Sequence, residues 1–391
     1  MPWKETTPMH QRTLFIADHL RGTRSVTELC AEYGIARKTA YKWIDRYIRV
    51  GPAGLDDRSR RPRTMPTATA EPVVQALLAL RHRHPTWGPR KLVAYLARRQ
   101  PTWTVPGRSA VAALLKRHGL IPRRRRRRVI GHPGKPNALI LTPNQVWCAD
   151  FKGQFRLGNG RYCYPLTVTD GFSRYLLGCQ GLPSTAVQGA KPVFTRLFQE
   201  YGLPQYIRTD NGVPFATNTL ARLSRLSAWW VRLGILPQLI EPGRPQQNGR
   251  HERMHKTLKQ EATRPAAASM SAQQRRFDHF RQEFNHDRPH EALDQHPPAS
   301  VYQPSPRPMP RALPPLEYPD RFEVRYVSAN GGIRWNKRWV NVSTTCIGEY
   351  VGLEEIDDGV WNVYFGPLRL GRLLERQMKI EDAYGRLYRQ R

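Results

Sequence analysis

The sequence predicts a multidomain α+β protein with N-terminal all-α helix-turn-helix domains, a central α/β core on a mixed five-stranded sheet, and a small C-terminal β-barrel. Three observations support this prediction. The first 120 residues hold short segments of helical periodicity, residues 144 to about 290 mix strand and helix patterns, and the remainder alternates as strands do.

The charge of the chain restricts its partners. The 391 residues carry a formal net charge of +32, while 39% hydrophobic residues and ten Trp indicate folded domains. A balance this positive favours a polyanion, and we expect double-stranded DNA. A basic membrane-surface protein or a ribosome-bound protein is the alternative.

The compartment follows from what the sequence lacks. No stretch approaches the ~20 apolar residues of a membrane span, and no signal-peptide apolar region is found at the start. We therefore expect a cytoplasmic, bacterial protein that associates with the nucleoid when bound to DNA, with no membrane partner. Five scattered cysteines without a C-x-x-C pair indicate reduced, mostly buried thiols: Cys30, Cys148, Cys163, Cys179 and Cys346.

Residues 25–47 have the form of a helix-turn-helix. Ser25 and Glu28 form a capping box, and Gly34 permits the sharp turn. The predicted small core consists of Val26, Leu29, Ile35, Tyr41 and Ile44. The second helix would present four residues to a DNA major groove: Arg37, Lys38, Thr39 and Lys42. The alternative is a purely structural helix pair.

Three further helices are predicted at about 71–83, 88–99 and 108–118. They resemble a second helix-turn-helix, with a winged form as one variant. A run of six arginines follows: Arg123, Arg124, Arg125, Arg126, Arg127 and Arg128. Such a run repels itself and stays extended until it meets phosphate, and the alternative is a solvated linker.

The central region contains five predicted strands and four predicted helices. The strands lie in "NQVWCADFKGQF", "RYCYPLTVTD", "SRYLLGCQG", "QYIRTD" and "LPQLIEP". The helices lie in "TAVQGAKPVFTRLFQEYG", "ATNTLARLSRLSAWWVRLG", the stretch that follows "PQQNG", and about 271–287. Up to that third helix, the order βββαβαβα is that of a ribonuclease-H-like sheet.

The C-terminal part begins with a stiff connector. Residues 297–319 contain nine prolines. Beyond them, alternating segments and the pair Asn330-Gly331, a strong hairpin signal, predict the small barrel. The expected domain boundaries are 1–52, 53–69 (linker), 70–121, 122–143 (arginine-rich linker), 144–292 (core), 293–319 (proline-rich linker) and 320–391.

Three acidic residues are candidates for chemistry. Asp150 lies on an apolar strand, where a carboxylate is costly unless a cation compensates it. Asp210 ends its strand at the Asn211-Gly212 turn, and ligands bind at the carboxyl ends of strands in open α/β sheets.

Glu252 is the third acid, in the cation-rich stretch "PQQNGRHERMHK" that also contains Arg250, a further candidate DNA contact. Helical spacing puts Glu252 on one face with Lys256 and Lys259. The opposite face would pack through Met254, Leu258 and Ala262, and His251 and His255 count as further potential cations. An ordinary surface ion pair between Glu252 and Lys256 is the alternative to a functional role.

Together the three acids favour a metal site. Mg²⁺ prefers hard oxygen ligands, and two ions about 3.5–4 Å apart activate the attacking and stabilise the leaving oxygen of a phosphodiester. The two lysines would hold flanking phosphates.

The sequence resembles the DDE transposases of insertion sequences with a retroviral-integrase-type core. The resemblance spans nearly the whole chain and is most specific in "NQVWCADF", "TVTDGFSRYLLG", "RTDNGVPF" through "EPGRPQQNGRHERMHKTLK", and "FNHDRPHEAL". It implies that Asp150, Asp210 and Glu252 are the catalytic, metal-binding triad, holding two Mg²⁺ ions with Mn²⁺ as a substitute. It also implies DNA contacts at Asn248, Lys256 and Lys259.

Two features qualify the resemblance. Forty-one residues separate Asp210 from Glu252, more than is typical of the family, and we expect the extra residues around "LSRLSAWWVRLG". Asp170 and Arg174 lie in a patch that is usually structural, so they are not assigned to the triad.

The resulting hypothesis is a transposase that binds the terminal inverted repeats of its element through residues 1–120. It would act as a homo-oligomer on DNA, without a nucleotide cofactor, and catalyse cleavage and 3′-hydroxyl strand transfer. Two rival functions remain: a DNA-binding regulator, indifferent to loss of the three acids, and a nuclease that cuts without joining.

Overall fold

The computed structural model describes residues 7–59, 68–121, 139–241, 249–383 and 385–387. The chain divides into two compact units, Met1–Ala68 and Thr69–Arg391. Each is described by itself below.

Three helices form the first unit: α1 (Pro8–Arg21), α2 (Val26–Glu32) and α3 (Arg37–Val50). The predicted capping box is present, since Glu28 N donates to Ser25 Oγ and Ser25 N to Glu28 Oε2. Gly34 adopts φ +62° in the turn between α2 and α3, as expected. Tyr41 was wrongly predicted as core: it is 51% exposed, because α3 turns Ala40, Trp43 and Ile44 inward instead.

The second unit begins with the three predicted helices. They are α4 (Glu71–Arg83), α5 (Pro89–Arg99) and α6 (Arg108–Arg117). Leu77, Leu92 and Val111, one from each helix, are fully buried in a common core with Trp87 from the turn between α4 and α5. The apolar face that the sequence predicts for each of these three helices is therefore buried in the core.

A mixed sheet flanked by helices forms the middle of the second unit. Its elements are β1 (Val146–Phe151), β2 (Phe155–Arg156), β3 (Tyr162–Asp170), β4 (Leu176–Leu182), α7 (Val187–Tyr201), β5 (Tyr206–Thr209), α8 (Arg225–Arg232), β6 (Leu236–Leu239), α9 (Gly249–Glu261) and α10 (Met270–Gln282). The main strands lie in the order β4-β3-β1-β5-β6, and the two-residue β2 also pairs with β3. The pairs β4-β3 and β3-β1 are antiparallel, whereas β1-β5 and β5-β6 are parallel. The predicted order βββαβαβα is thus confirmed, except that the short β2 adds a sixth strand to the predicted five.

The two faces of the sheet bury different helices. Trp147 and Ala149 of β1 share a core with Phe194 of α7 and Trp230 of α8. The other face packs α9 and α10, whose core includes Leu258. Successive residues of β1 point to opposite faces, so Cys148 and Asp150 belong to the α9 side.

The second predicted helix of the core is shorter than expected. It begins at Arg225, because Ser224 and Ser227 form a capping box there. The residues before it form a turn in which Ala221 and Arg222 adopt positive φ angles of 50° and 56°.

The connector at 297–319 contains one short 3-10 turn, Pro298–Ser300, and is otherwise without regular structure. It is packed against the core, where Ser305 N donates to Tyr201 O at 2.8 Å and Leu203 N donates to Arg307 O at 2.7 Å.

The described residues of the C-terminal region form an antiparallel sheet and a separate hairpin, so the predicted small barrel is not confirmed. Its strands are β7 (Glu323–Tyr326), β8 (Gly332–Trp335), β9 (Arg338–Asn341), β10 (Tyr350–Asp357), β11 (Val360–Phe365), β12 (Leu368–Leu374) and β13 (Lys379–Glu381). Five of them pair in the order β13-β12-β11-β10-β7, and β8 pairs only with β9. The sheet does not close within the described residues because the chain leaves β7 into the separate β8-β9 hairpin.

The hairpin turn lies elsewhere than predicted. Asn330-Gly331 forms a turn between β7 and β8, which do not pair with each other. The turn of the β8-β9 hairpin is instead Asn336-Lys337, where both residues adopt left-handed φ angles of 43° and 64°.

Candidate active site

Strand register brings two of the candidate acids side by side. β1 and β5 run parallel with Val146 opposite Tyr206 and Cys148 opposite Arg208. The pairing ends there, but continuing this register by two residues sets Asp150 opposite Asp210, which follows the last residue of β5, and the Asp210 carboxylate is near enough to raise the pKa of Asp150. Neighbouring strands are about 4.8 Å apart, so both carboxylates emerge at one edge of the sheet.

The turn after β5 holds Asp210 in place. Gly212 N donates a 3.1 Å hydrogen bond to Asp210 Oδ1, and the Asn211 side chain donates to Ile240 O at 2.9 Å. The Asn-Gly pair therefore fixes the position of the carboxylate at the end of the strand.

The environment of Asp150 disfavours its charged form. Burial, followed by the nearby Asp210 carboxylate and, to a smaller extent, by Glu252, raises the pKa of Asp150 from 3.8 to about 7. The side chain is 20% exposed and therefore remains accessible from solvent. A divalent cation at this edge would compensate the charges, and carboxylate oxygens are the donors that Mg²⁺ prefers.

Glu252 lies in the first turn of α9, as the helical spacing predicts. Met254 and Leu258 are buried, whereas Glu252, Lys256 and Lys259 are exposed. Within the described residues, Glu252 forms no ion pair, although the sequence allowed one with Lys256. The carboxylate is therefore available to another cation.

Two buried histidines of α9 correct the sequence interpretation. His251 and His255 were considered potential cations, but burial lowers the pKa of both, that of His251 to about 3, so the imidazoles are neutral. Thr167 Oγ1 lies 2.8 Å from His251 Nε2 and 2.6 Å from His255 Nε2, and Thr169 Oγ1 lies 2.8 Å from His251 Nδ1.

The burial of these two histidines could have been predicted from the sequence. His251 and His255 share the stripe of Met254, Leu258 and Ala262 at spacings of three and four residues. Their side of the helix meets the sheet where Thr167 lies opposite Asp150 in the β1-β3 register. As a result, His255 Nδ1 lies 3.6 Å from Asp150 Oδ2.

Asp170 has structural hydrogen bonds, in agreement with its exclusion from the triad. The side chain is fully buried, and its oxygens accept from Asn144 N at 2.8 Å, Ser173 N at 2.7 Å and Ser173 Oγ at 2.6 Å. Arg174 likewise bonds locally, to Gly171 O. These contacts shape the β3-β4 turn.

The predicted DNA-contact residues are only partly surface groups. On α3, Arg37, Lys38 and Lys42 are exposed, whereas Thr39 is half-buried. Arg250 is exposed in the first turn of α9, and its Nη1 donates to Gly171 O at 3.3 Å. Asn248 and the tract of Arg123, Arg124, Arg125, Arg126, Arg127 and Arg128 lie outside the described residues.

The segment "FNHDRPHEAL" links the core to the α4–α6 helices. The Asn285 side chain accepts from Leu176 N at 2.8 Å and donates to Leu176 O at 3.0 Å, which anchors β4. Asp287 accepts from Arg99 at 2.6 Å, and Lys91 Nζ donates to Pro289 O at 2.6 Å. The segment thus positions the second helical group against the core.

All five cysteines are buried and unpaired, as predicted. In the described ranges, none of the helices combines the length and apolar character that a bilayer crossing requires.

Four models of known families match parts of the chain. Integrase core domain models match residues 141–245 and 233–298. A helix-turn-helix domain model matches residues 11–63, and a homeodomain-like domain model matches residues 39–115. A mixed sheet with carboxylates at its edge, joined to such domains, defines a DNA-binding polynucleotidyl transferase of the integrase-core class.

Two similar proteins of bacterial insertion elements show the family within this class. The 39.2 kDa protein of insertion element IS476 from Xanthomonas euvesicatoria is 30% identical over 254 residues, 63% of this chain and 69% of the relative. The 31.7 kDa protein of insertion element IS407 from Burkholderia multivorans is 29% identical over 229 residues, 57% of this chain and 78% of the relative. The chain belongs to this family, the DDE transposases of bacterial insertion sequences with an integrase-type core.

A solved structure gives a weaker likeness. The simian T-cell lymphotropic virus intasome aligns over 73% of this chain and 91% of its own, with 16% identity and a TM-score of 0.38.

Proposed function

We propose that this transposase binds the terminal inverted repeats of its element, cleaves the DNA at the element's ends, and joins the freed 3′-hydroxyl to target DNA. The helical domains within residues 1–120 bind the ends, and an oligomer bridges them. The observation that supports the catalytic assignment best is the effect of the Asp210 carboxylate on the pKa of Asp150, which agrees with the parallel β1-β5 pairing continued to the ends of the two strands.

In this proposal Asp150, Asp210 and Glu252 hold two divalent cations, Mg²⁺ or Mn²⁺. The pKa of Asp150, raised by burial and by its acidic neighbours, fits a site built to receive positive charge. When bound, the ions supply Lewis-acid activation of the attacking oxygen and stabilisation of the leaving oxygen.

The other residues of the site bind and orient DNA. The exposed ammonium groups of Lys256 and Lys259 share the outer face of α9 with Glu252 and would hold the phosphates that flank the scissile bond. The carboxylates are not nucleophiles: water attacks the phosphodiester first, and the 3′-hydroxyl it releases attacks target DNA second. No covalent protein–DNA intermediate forms.

The decisive experiment is strand transfer with the wild type and Glu252→Gln, using DNA that carries the inverted repeats flanking the gene. Glu252→Gln removes a proposed metal ligand and should lower the rate about 100-fold or more in Mg²⁺, while binding of the ends persists. Glu355→Gln, the same change at an exposed residue of β10, is the matched control and should retain full activity.

The outcomes separate the proposal from its rivals. A Glu252→Gln protein that still joins strands would refute the triad. Wild-type protein that binds the ends without cutting indicates a regulator, and cleavage without joining indicates a nuclease. DNA binding should weaken steeply with salt, since many phosphate contacts are implied.

A further inference from the structure

One group of side chains beside the proposed triad has the composition of a different metal site. Asp150, His251 and His255 each offer a ligand atom, and these three atoms lie within 4.8 Å of one another. Among the described residues, this is the group of three or more His, Cys, Asp or Glu side chains that meets that distance. Two imidazoles and one carboxylate are a donor set typical of zinc rather than magnesium.

The distance between His255 Nδ1 and Asp150 Oδ2 would allow both atoms to bind one metal ion. His255 Nδ1 and Asp150 Oδ2 are 3.6 Å apart, beyond the usual hydrogen-bond length. Two metal–ligand bonds of about 2.1 Å each span that 3.6 Å separation at an angle of about 118°, close to the tetrahedral preference of zinc.

The threonines of β3 orient the imidazoles for such binding. Thr167 Oγ1 pairs with His255 Nε2 at 2.6 Å, which leaves Nδ1 as the nitrogen directed at Asp150. Metal binding requires the tautomer in which Nε2 carries the hydrogen and donates it to Thr167. A metal-bound histidine commonly donates its second ring N–H in this way.

His251 can supply the third ligand if one of its nitrogens exchanges a hydrogen bond for the ion. Its ring stands next to that of His255, with centroids 4.6 Å apart, and each of its nitrogens lies 2.8 Å from a threonine hydroxyl, so zinc binding displaces one of these two hydrogen bonds. Both histidines are more than 90% buried, so Asp150, which is 20% exposed, is the side from which an ion enters.

We propose that Asp150, His251 and His255 form a zinc-binding site that shares Asp150 with the carboxylate triad. Imidazole nitrogen favours Zn²⁺ over Mg²⁺. Zn²⁺ would therefore bind Asp150 together with the two histidines, and Mg²⁺ would bind Asp150 together with the other two acids. A zinc ion bound here withdraws Asp150 from the triad. Inhibition of strand transfer by zinc would follow from this, and it rests on the proposed function. The zinc-binding site itself does not rest on it.

Zinc affinity of the untagged full-length protein tests the site directly. Competition against a chromophoric zinc chelator should show one tight site per chain in the wild type. His255→Asn should raise the dissociation constant about tenfold or more, since it removes a ligand. His279→Asn, the same change on the exposed face of α10, is the matched control and should bind zinc as the wild type does.

Two further measurements keep the test decisive. Asp150→Asn should weaken zinc binding as well, so the proposal remains testable if His255→Asn does not fold. Glu252→Gln should keep full zinc affinity even though it loses strand transfer, which separates this site from the triad. Wild-type protein without a tight zinc site, or folded Asp150→Asn and His255→Asn proteins with unchanged affinity, would overturn the proposal.

Discussion

The raised pKa of Asp150 predicts that this residue lowers the stability of the metal-free protein. The unfolded chain releases the proton near pH 3.8, whereas the folded protein holds it until about pH 7. Between these values the free energy of unfolding falls as pH rises, because the unfolded state gains from ionisation and the folded state does not. Above about pH 7 the loss is complete.

The substitution Asp150→Asn removes this loss and leaves the size of the side chain nearly unchanged. Each pH unit between the two pKa values is worth about 1.4 kcal/mol. From pH 5 to pH 8 the wild type therefore loses about 2.7 kcal/mol relative to the variant, over the two units that lie below pH 7. The variant should thus be increasingly the more stable protein as pH rises.

Urea unfolding at pH 5 and pH 8 with a chelator present measures this difference, and the fluorescence of Trp147, buried in the same strand, reports on the core. Asp358→Asn, at an exposed turn, controls for the loss of one negative charge. Added Mg²⁺ should stabilise the wild type at pH 8 more than Asp150→Asn. A stability difference between wild type and variant that is equal at both pH values would refute the reasoning.

Two predictions concern the scaffold of the site. Asn285→Ala leaves the backbone N–H and C=O of Leu176 without their buried partner, and the expected cost is about 2–4 kcal/mol in urea unfolding; an unchanged midpoint would show that β4 does not need this anchor. Gly171→Ala places a Cβ atom 2.8 Å from Val146 O and 2.7 Å from Ile140 Cδ1. This overpacking should lower the free energy of unfolding by about 1–3 kcal/mol. No change in the same urea assay would show that the turn can move to accommodate the methyl group.

The elements that the sequence predicted well are those whose signals are local. The helices α4, α5 and α6 follow from apolar spacing over one segment each, and their observed bounds lie within one residue of the predicted ones. The start of α2 followed from its capping box, which involves only Ser25 and Glu28. Local signals of this kind need no knowledge of the rest of the fold.

Long-range pairing was beyond the reach of local patterns. Tyr41 has the spacing of a core residue, but α1 packs so that Ala40 and Trp43 face inward instead. The C-terminal strands were recognisable, yet whether they close into a barrel depends on which edges pair. The hairpin at Asn336-Lys337 carries no glycine, so its turn was less evident than Asn330-Gly331.

The candidate site shows the same division. That Asp150 lies on a strand and that Asp210 ends one could be inferred from strand patterns, whereas the parallel pairing of these two strands joins distant segments of the chain. Glu252 was placed on the outer face of α9 by helical arithmetic. The same helical spacing puts His251 and His255 on the buried inner face. Their residue type nevertheless suggested potential cations, and this expectation overlooked their burial.

The two faces of α9 explain why one acid stands among so many cations. A surface role for Glu252 would use Lys256 four residues later, yet within the described residues the acid forms no ion pair. The lysines project from the side that the sheet does not cover, whereas the inner side is filled by Met254 and the two neutral histidines. The basic groups of α9 therefore do not neutralise the acidic edge of the sheet. Under the proposed function these lysines would bind phosphates, and the pKa of Asp150, raised by burial and by Asp210, fits a carboxylate whose charge is compensated by a bound cation.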